Sequence, residues 1–260
     1  MFEGKAAFQD LGRLVYGLAG IALGIIGLVS RDFGAVWQPL ENLGAGSHRA
    51  LIAVLFAAAL LVAGVATLWR RTAPIGFLVL SSLHFISALG WVPRILANPG
   101  IFGVWNGFFE QFALVSAGVV GYASVAPLAS PWTGRAAQTG RLLFAVCAVS
   151  FAFGHFTAIP ETTAFVPRWI PPGQRFWAWA TGVFHLLAGL AIASGVLAAL
   201  ASRLLTAMMV GFGVLVWAPI VIATPNHFNW SGNAINLALV GAAWVIADSI
   251  ASRRRGESRA

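Results

Sequence analysis

Six polar side chains stand inside long apolar runs of this sequence: His84, Glu110, Gln111, His155, His185 and Asn236. Ionisable groups in such runs are costly in hydrocarbon, so they are expected to face a bundle interior or a water-filled space and to mark a site. An unpaired carboxylate at Glu110 would cost on the order of several kcal/mol, so it needs partners, and Gln111 and Asn236 are neutral hydrogen-bonding candidates. Histidine is the side chain whose charge changes near neutral pH. The set could therefore line a polar pocket for a small ligand, with His155, His185 and Glu110 at its wall and His84 as a further candidate. The competing reading is packing, in which each His or Asn hydrogen-bonds a neighbouring helix and does nothing else. No H-x-x-H, E-x-x-H or H-E-x-x-H spacing occurs, so no metal is expected. Cys147 is the single cysteine, which excludes an intrachain disulfide and dithiol chemistry.

The elements that must position these residues follow from composition. The chain has 260 residues, 59% hydrophobic and 9% charged, with a mean hydropathy of +0.83. Soluble domains carry about 25% charged residues, so this surface meets lipid rather than water. Eight apolar windows have the length that crosses a bilayer as a helix. They run about 11–30, 50–69, 73–91, 105–128, 141–159, 176–200, 203–222 and 230–250. Gly17, Gly20, Gly24 and Gly27 recur at three- and four-residue spacing in the first, a stripe that lets a second helix approach closely. The expected fold is all-α, a polytopic membrane bundle of eight transmembrane helices, and no broken helix is read in it.

Charge orients the bundle. The sequence pI near 11.4 does not imply nucleic acid, because the basic residues sit at helix ends. With an even number of spans, Lys5, Arg13, Arg70, Arg71, Arg135, Arg141, Arg203, Arg253, Arg254, Arg255 and Arg259 share one side. Only Arg31, Arg49, Arg94, Arg168 and Arg175 fall on the other. Eleven against five in short loops places both termini in the cytoplasm, in a cell membrane of bacterial inner-membrane type. His48 and His227 then fall in outer loops, and all five histidines lie in the non-cytoplasmic half.

The chain also writes one pattern twice. Trp91-Val92-Pro93, Pro99, Phe102 and Trp105-x-Gly107 return in order as Trp217-Ala218-Pro219, Pro225, Phe228 and Trp230-x-Gly232. The period is roughly 125 to 128 residues, the size of a duplicated subdomain rather than a solenoid unit. The expected organisation is a first four-helix repeat at 1–130, a cytoplasmic linker at 131–140, a second at 141–252 and a basic tail at 253–260. Four spans per copy make the repeats parallel, related about the membrane normal. The paired Trp and Pro positions are read as interfacial anchors of short outer loops.

In the second copy, Gly154-His155-Phe156, Phe165-Val166-Pro167-Arg168-Trp169-Ile170-Pro171 and Thr181-Gly182-Val183-Phe184-His185 through Gly189 are similar to the DoxX-like family of small four-span membrane proteins. His185 stands where that family usually carries Glu. The first copy is more worn: Gly27 is opposite His155, Ala57 opposite His185, and Trp37-Gln38-Pro39 opposite Phe165-Val166-Pro167. The resemblance implies four-helix units and relatives that serve quinone-linked oxidation or accompany redox and maturation enzymes; quinone is the one cofactor it suggests. The residues themselves favour a ligand-binding or accessory membrane subunit without turnover of its own, with its pocket open to the non-cytoplasmic side. The alternatives are a membrane subunit of a quinone-linked oxidoreductase, working with a soluble or membrane partner, and a small-solute transporter. The expected partners are the lipid bilayer and such a subunit, with no nucleic acid.

Overall fold

The computed structural model describes residues 10–33, 47–126 and 131–257, and every regular element among them is helical. The Lys5 and Trp37-Gln38-Pro39 assignments lie outside the described residues. Among the described residues eight helices are long and apolar enough to cross a membrane: Leu11–Ser30, His48–Thr67, Ala73–Ala97, Phe102–Val125, Trp132–Thr157, Gln174–Ser194, Ala198–Ala223 and His227–Arg253. We label the elements α1 (Leu11–Ser30), α2 (Ser47–Thr67), α3 (Ala73–Gly90), α4 (Val92–Ala97), α5 (Phe102–Val125), α6 (Pro131–Thr157), α7 (Ile159–Phe165), α8 (Gln174–Ser194), α9 (Ala198–Phe212), α10 (Ala218–Ala223) and α11 (His227–Glu257), with a π-helical segment at Gly213–Trp217.

Local sequence explains most of the boundaries. α3, α4 and α7 each carry proline in the first turn, where its missing N–H breaks no helical bond. α8 closes on Gly195, whose φ of 80° is the left-handed cap that costs glycine least. Residues 131–140, expected as the connection between repeats, are the first turns of α6, with Pro131 at its start and no helix breaker stronger than Gly134 after it. α11 likewise runs on through the basic tail to Glu257. His48 and His227 sit in first turns of helices rather than in loops.

The spans pack in chain order as a ring: α1–α2, α2–α3, α3–α5, α5–α6, α6–α8, α8–α9, α9–α11, and α11 back on α1. α5 also touches α11 across the middle. The glycine stripe of α1 meets α2 as expected, for a Cβ on Gly24 would sit 2.6 Å from the Leu61 nitrogen and one on Gly27 2.7 Å from Ala57 Cβ. One apolar cluster, from Tyr16 and Phe77 through Leu114 to Ile246, runs through the interior.

Two spans contain an irregular turn, though each still runs as one spanning helix, Ala73–Ala97 and Ala198–Ala223. The third stops at Gly90 and resumes as α4 after Trp91. In the seventh, the Ala218 N–H reaches back five residues to the Gly213 carbonyl. Pro219 follows and has no N–H to continue a four-residue ladder, so the wide turn is the local solution. Trp91, read as an interfacial anchor, is 6% exposed and lies against α5, where a Cβ on Gly107 would meet its ring at 2.4 Å.

Candidate functional site

α6 delivers His155 two residues before its end, and α8 delivers His185 from its middle. Their rings face each other with centroids 5.3 Å apart. Gly182 permits this approach, since a Cβ there would fall 3.0 Å from His155 Cβ and 2.6 Å from the Phe156 ring. His155 Nδ1 is held between the Ala178 carbonyl at 3.3 Å and the Thr181 hydroxyl at 3.2 Å. His185 is buried, with Phe151 set edge-on at 5.5 Å between centroids. Its Nδ1 has no hydrogen-bond partner.

Both histidines line a cavity of about 580 Å³ at the end of the bundle that carries α4 and α7. α5 contributes Asn106 and Glu110, α11 contributes Asn236, and α9 with the π segment contributes Met209, Phe212 and Trp217. Val166, Pro167 and Ile170 from the α7–α8 connection complete the wall. The lining is mostly aromatic and aliphatic, with Glu161 and Thr162 of α7 adding to the polar groups. Asn106 packs where Gly154 has no side chain, because a Cβ there would lie 2.8 Å from Asn106 Oδ1. That Oδ1 also lacks a partner. Asn236 donates from Nδ2 to the Met209 carbonyl at 3.2 Å, and Gly213 leaves room for it.

Of the six residues singled out from sequence, His155, His185, Glu110 and Asn236 line this cavity. His84 and Gln111 do not. Both are buried behind the wall, with His84 Nδ1 and Gln111 Oε1 3.0 Å apart, and Gln111 Nε2 donates to Glu110 Oε1 at 3.4 Å. Sequence reasoning missed Asn106 and Thr181. Asn106 stands four residues before Glu110 and so on the same helix face, which was a usable signal. Trp217, read as an anchor, is a cavity residue, and no spacing signalled that. Among the described residues no three His, Cys, Asp or Glu side chains converge as a metal site.

The opposite end of the bundle holds an ionic cluster. Arg70 grips Asp10 with two bonds, Nε to Oδ2 at 2.9 Å and Nη2 to Oδ1 at 3.1 Å. Arg13 adds an ion pair at 3.4 Å and donates to the Thr67 carbonyl. Burial pushes the Asp10 carboxyl up, but the bonds from Arg70 and Arg13 outweigh it and hold the group below the ordinary carboxylate range. The Gly12 N–H donates to Asp248 at 3.4 Å, tying the start of α1 to α11.

The DoxX family model matches residues 136–218, from the early turns of α6 to the start of α10. This is the half in which the resemblance was read, and it contains His155 and His185 but not Glu110 or Asn236. No curated protein and no solved structure matches the chain.

Proposed function

From a membrane chain that carries a DoxX segment at 136–218, we propose that the cavity binds a small, mostly apolar molecule bearing one polar group. The protein acts as a binding or accessory subunit, without turnover of its own. The observation that supports this is a cavity of about 580 Å³ whose lining is mostly hydrophobic with a few polar groups, among which His185 Nδ1 and Asn106 Oδ1 are left without partners. Ligand sites of roughly 300–1,000 Å³ are typically apolar with a few convergent polar groups that fix orientation. A buried polar atom without a partner costs about 1–3 kcal/mol, which a ligand hydroxyl, able both to donate and to accept, would recover. With both termini cytoplasmic, the cavity opens on the non-cytoplasmic side. The duplicated organisation belongs to the same proposal and is supported by matching helix neighbours in the two halves. In the region opposite His155 and His185, Gly27 and Ala57 lie close together beside a cavity of only about 10 Å³.

The test is saturable binding of 2-naphthol, a flat apolar body with one hydroxyl, to the purified protein in nanodiscs. Binding is expected to be lost in His185→Ala and retained in a change far from the cavity, such as Leu18→Ala. Equal binding to empty nanodiscs would end the proposal. A second reading, a membrane subunit of a quinone-linked oxidoreductase, is supported by the same mostly apolar lining with a few polar groups. Copurification of quinone with a stoichiometric redox partner would favour it.

A further inference from the structure

Glu110 is a carboxyl group on the cavity wall that accepts from an amide, Gln111, which does not itself line the cavity. Gln111 is fully buried at 0% exposure, with His84 on its far side at 3%. A side-chain amide has one accepting and one donating end, so its two contacts cannot be set independently. When Gln111 Nε2 donates to Glu110 Oε1, its Oε1 is left to face His84 Nδ1. That nitrogen must then carry the proton. Rotating the amide by half a turn reverses both bonds. Nε2 would donate to a bare His84 Nδ1, and Gln111 Oε1 would need a donor from Glu110, which only the protonated acid can supply. The other neighbours do not settle the choice. Tyr16, whose ring lies 6.4 Å from that of His84, gives its hydroxyl to the Leu114 carbonyl.

We propose that His84 is a positioning residue for the cavity: through Gln111 it keeps one Glu110 oxygen engaged and the other free for a ligand. This rests on the binding reading above, which it deepens by naming the ligand's polar group as a hydroxyl or N–H that meets the free oxygen. In the reversed arrangement Glu110 would have to be protonated with its O–H held by Gln111, and the free oxygen would be the carbonyl of a neutral acid, a weaker acceptor for the ligand's donor than a carboxylate oxygen. His155, His185, Glu161, Asn106 and Asn236 share the cavity with Glu110, but none of them contacts Gln111 by a hydrogen bond.

Two measurements test it. Nitrogen-15 NMR of histidine-labelled protein in nanodiscs is expected to show His84 as the Nδ1–H tautomer, reverting to Nε2–H in Gln111→Leu. An Nε2–H tautomer in the unsubstituted protein overturns the proposal. In 2-naphthol titrations, His84→Phe is expected to weaken binding about tenfold, whereas His84→Asn, whose amide N–H can take the place of Nδ1–H, stays near the unsubstituted protein. The Phe change should add nothing on top of Gln111→Leu, because residues acting through one another are non-additive. Undiminished binding in His84→Phe, or additive losses, overturns it. If His84→Phe does not fold, His84→Asn and the tautomer decide. If no 2-naphthol binds at all, the binding reading fails while the tautomer still tests the positioning role.

Discussion

The imidazoles of His155 and His185 stand 5.3 Å apart between ring centroids, although 30 positions and the whole of α7 separate them in the chain. One is tied to α8 by the Ala178 carbonyl and the Thr181 hydroxyl. The other keeps a bare Nδ1. Under the proposed function the two adjacent rings have different tasks: His155 is fixed by protein, and His185 is left for a ligand.

Replacing His185 separates these tasks. His185→Phe preserves the ring and the contact with Phe151 but removes the polar atom. Thermal stability should hold within about 1 kcal/mol, since an unsatisfied buried group is lost, while 2-naphthol affinity falls about tenfold, or ~1.4 kcal/mol. Calorimetric titration in nanodiscs reads both parts; unchanged affinity would count against a ligand at Nδ1.

Filling the cavity should abolish binding without harming the fold. Gly211 lines it, and a Cβ there would meet nothing within 4 Å, so Gly211→Phe can be accommodated. Gly213→Leu is the contrasting change, because its Cβ would lie 2.9 Å from Asn236 Nδ2. The first is expected to lose 2-naphthol binding at unchanged melting temperature, and the second to lower the melting temperature.

The glycine stripe predicts a stability effect far from the cavity. A side chain at Gly24 must displace α2 backbone, with the Leu61 nitrogen at 2.6 Å and the Ala57 carbonyl oxygen at 2.7 Å. Gly24→Leu should cost about 1–3 kcal/mol as overpacking, read from the unfolding midpoint in mixed micelles. A neutral result would mean that α1 and α2 are not in this contact.

Acid should loosen the other end of the bundle. The Asp10 carboxyl is held below its ordinary value, so its contribution is fully present above the unfolded carboxylate value near pH 3.9 and is lost as pH falls through the lowered folded one. Asp10→Asn should therefore be less stable than the unsubstituted chain at pH 6, with the gap closing below about pH 4. The gap should be modest, roughly 1 kcal/mol or less, because the Arg70 side chain is 66% exposed and solvent screens the pair. A gap that persists at pH 3 would assign the effect to packing.

Orientation is open to labelling. Cys147 is buried, so an impermeant thiol reagent on intact cells has little background. Trp169→Cys on the α7–α8 connection should react, and Arg70→Cys should react only after permeabilisation. The reverse pattern would invert the bundle and put the cavity on the cytoplasmic side.

How much of this was legible in the sequence depends on the range of the forces involved. Eight spans follow from the length of apolar runs, because hydrocarbon forces every backbone polar group into local helical bonds. The α1 stripe was equally local, since glycine at three- and four-residue spacing marks one helix face. The similarity of residues 136–218 to the DoxX family model was readable from contiguous motifs around His155, Val166-Pro167 and His185. Tertiary structure decided what those polar residues meet. It separated His84 and Gln111 from the cavity wall, brought Asn106 and Trp217 to it, and buried Trp91 against α5. It also set Asn236 on the Met209 carbonyl beside the π turn, a pairing of α11 with α9 that no spacing within either helix encodes. Hydrophobic length acts along one segment, whereas a hydrogen bond between helices depends on the rotation and depth of both, and these are fixed only when all eight pack.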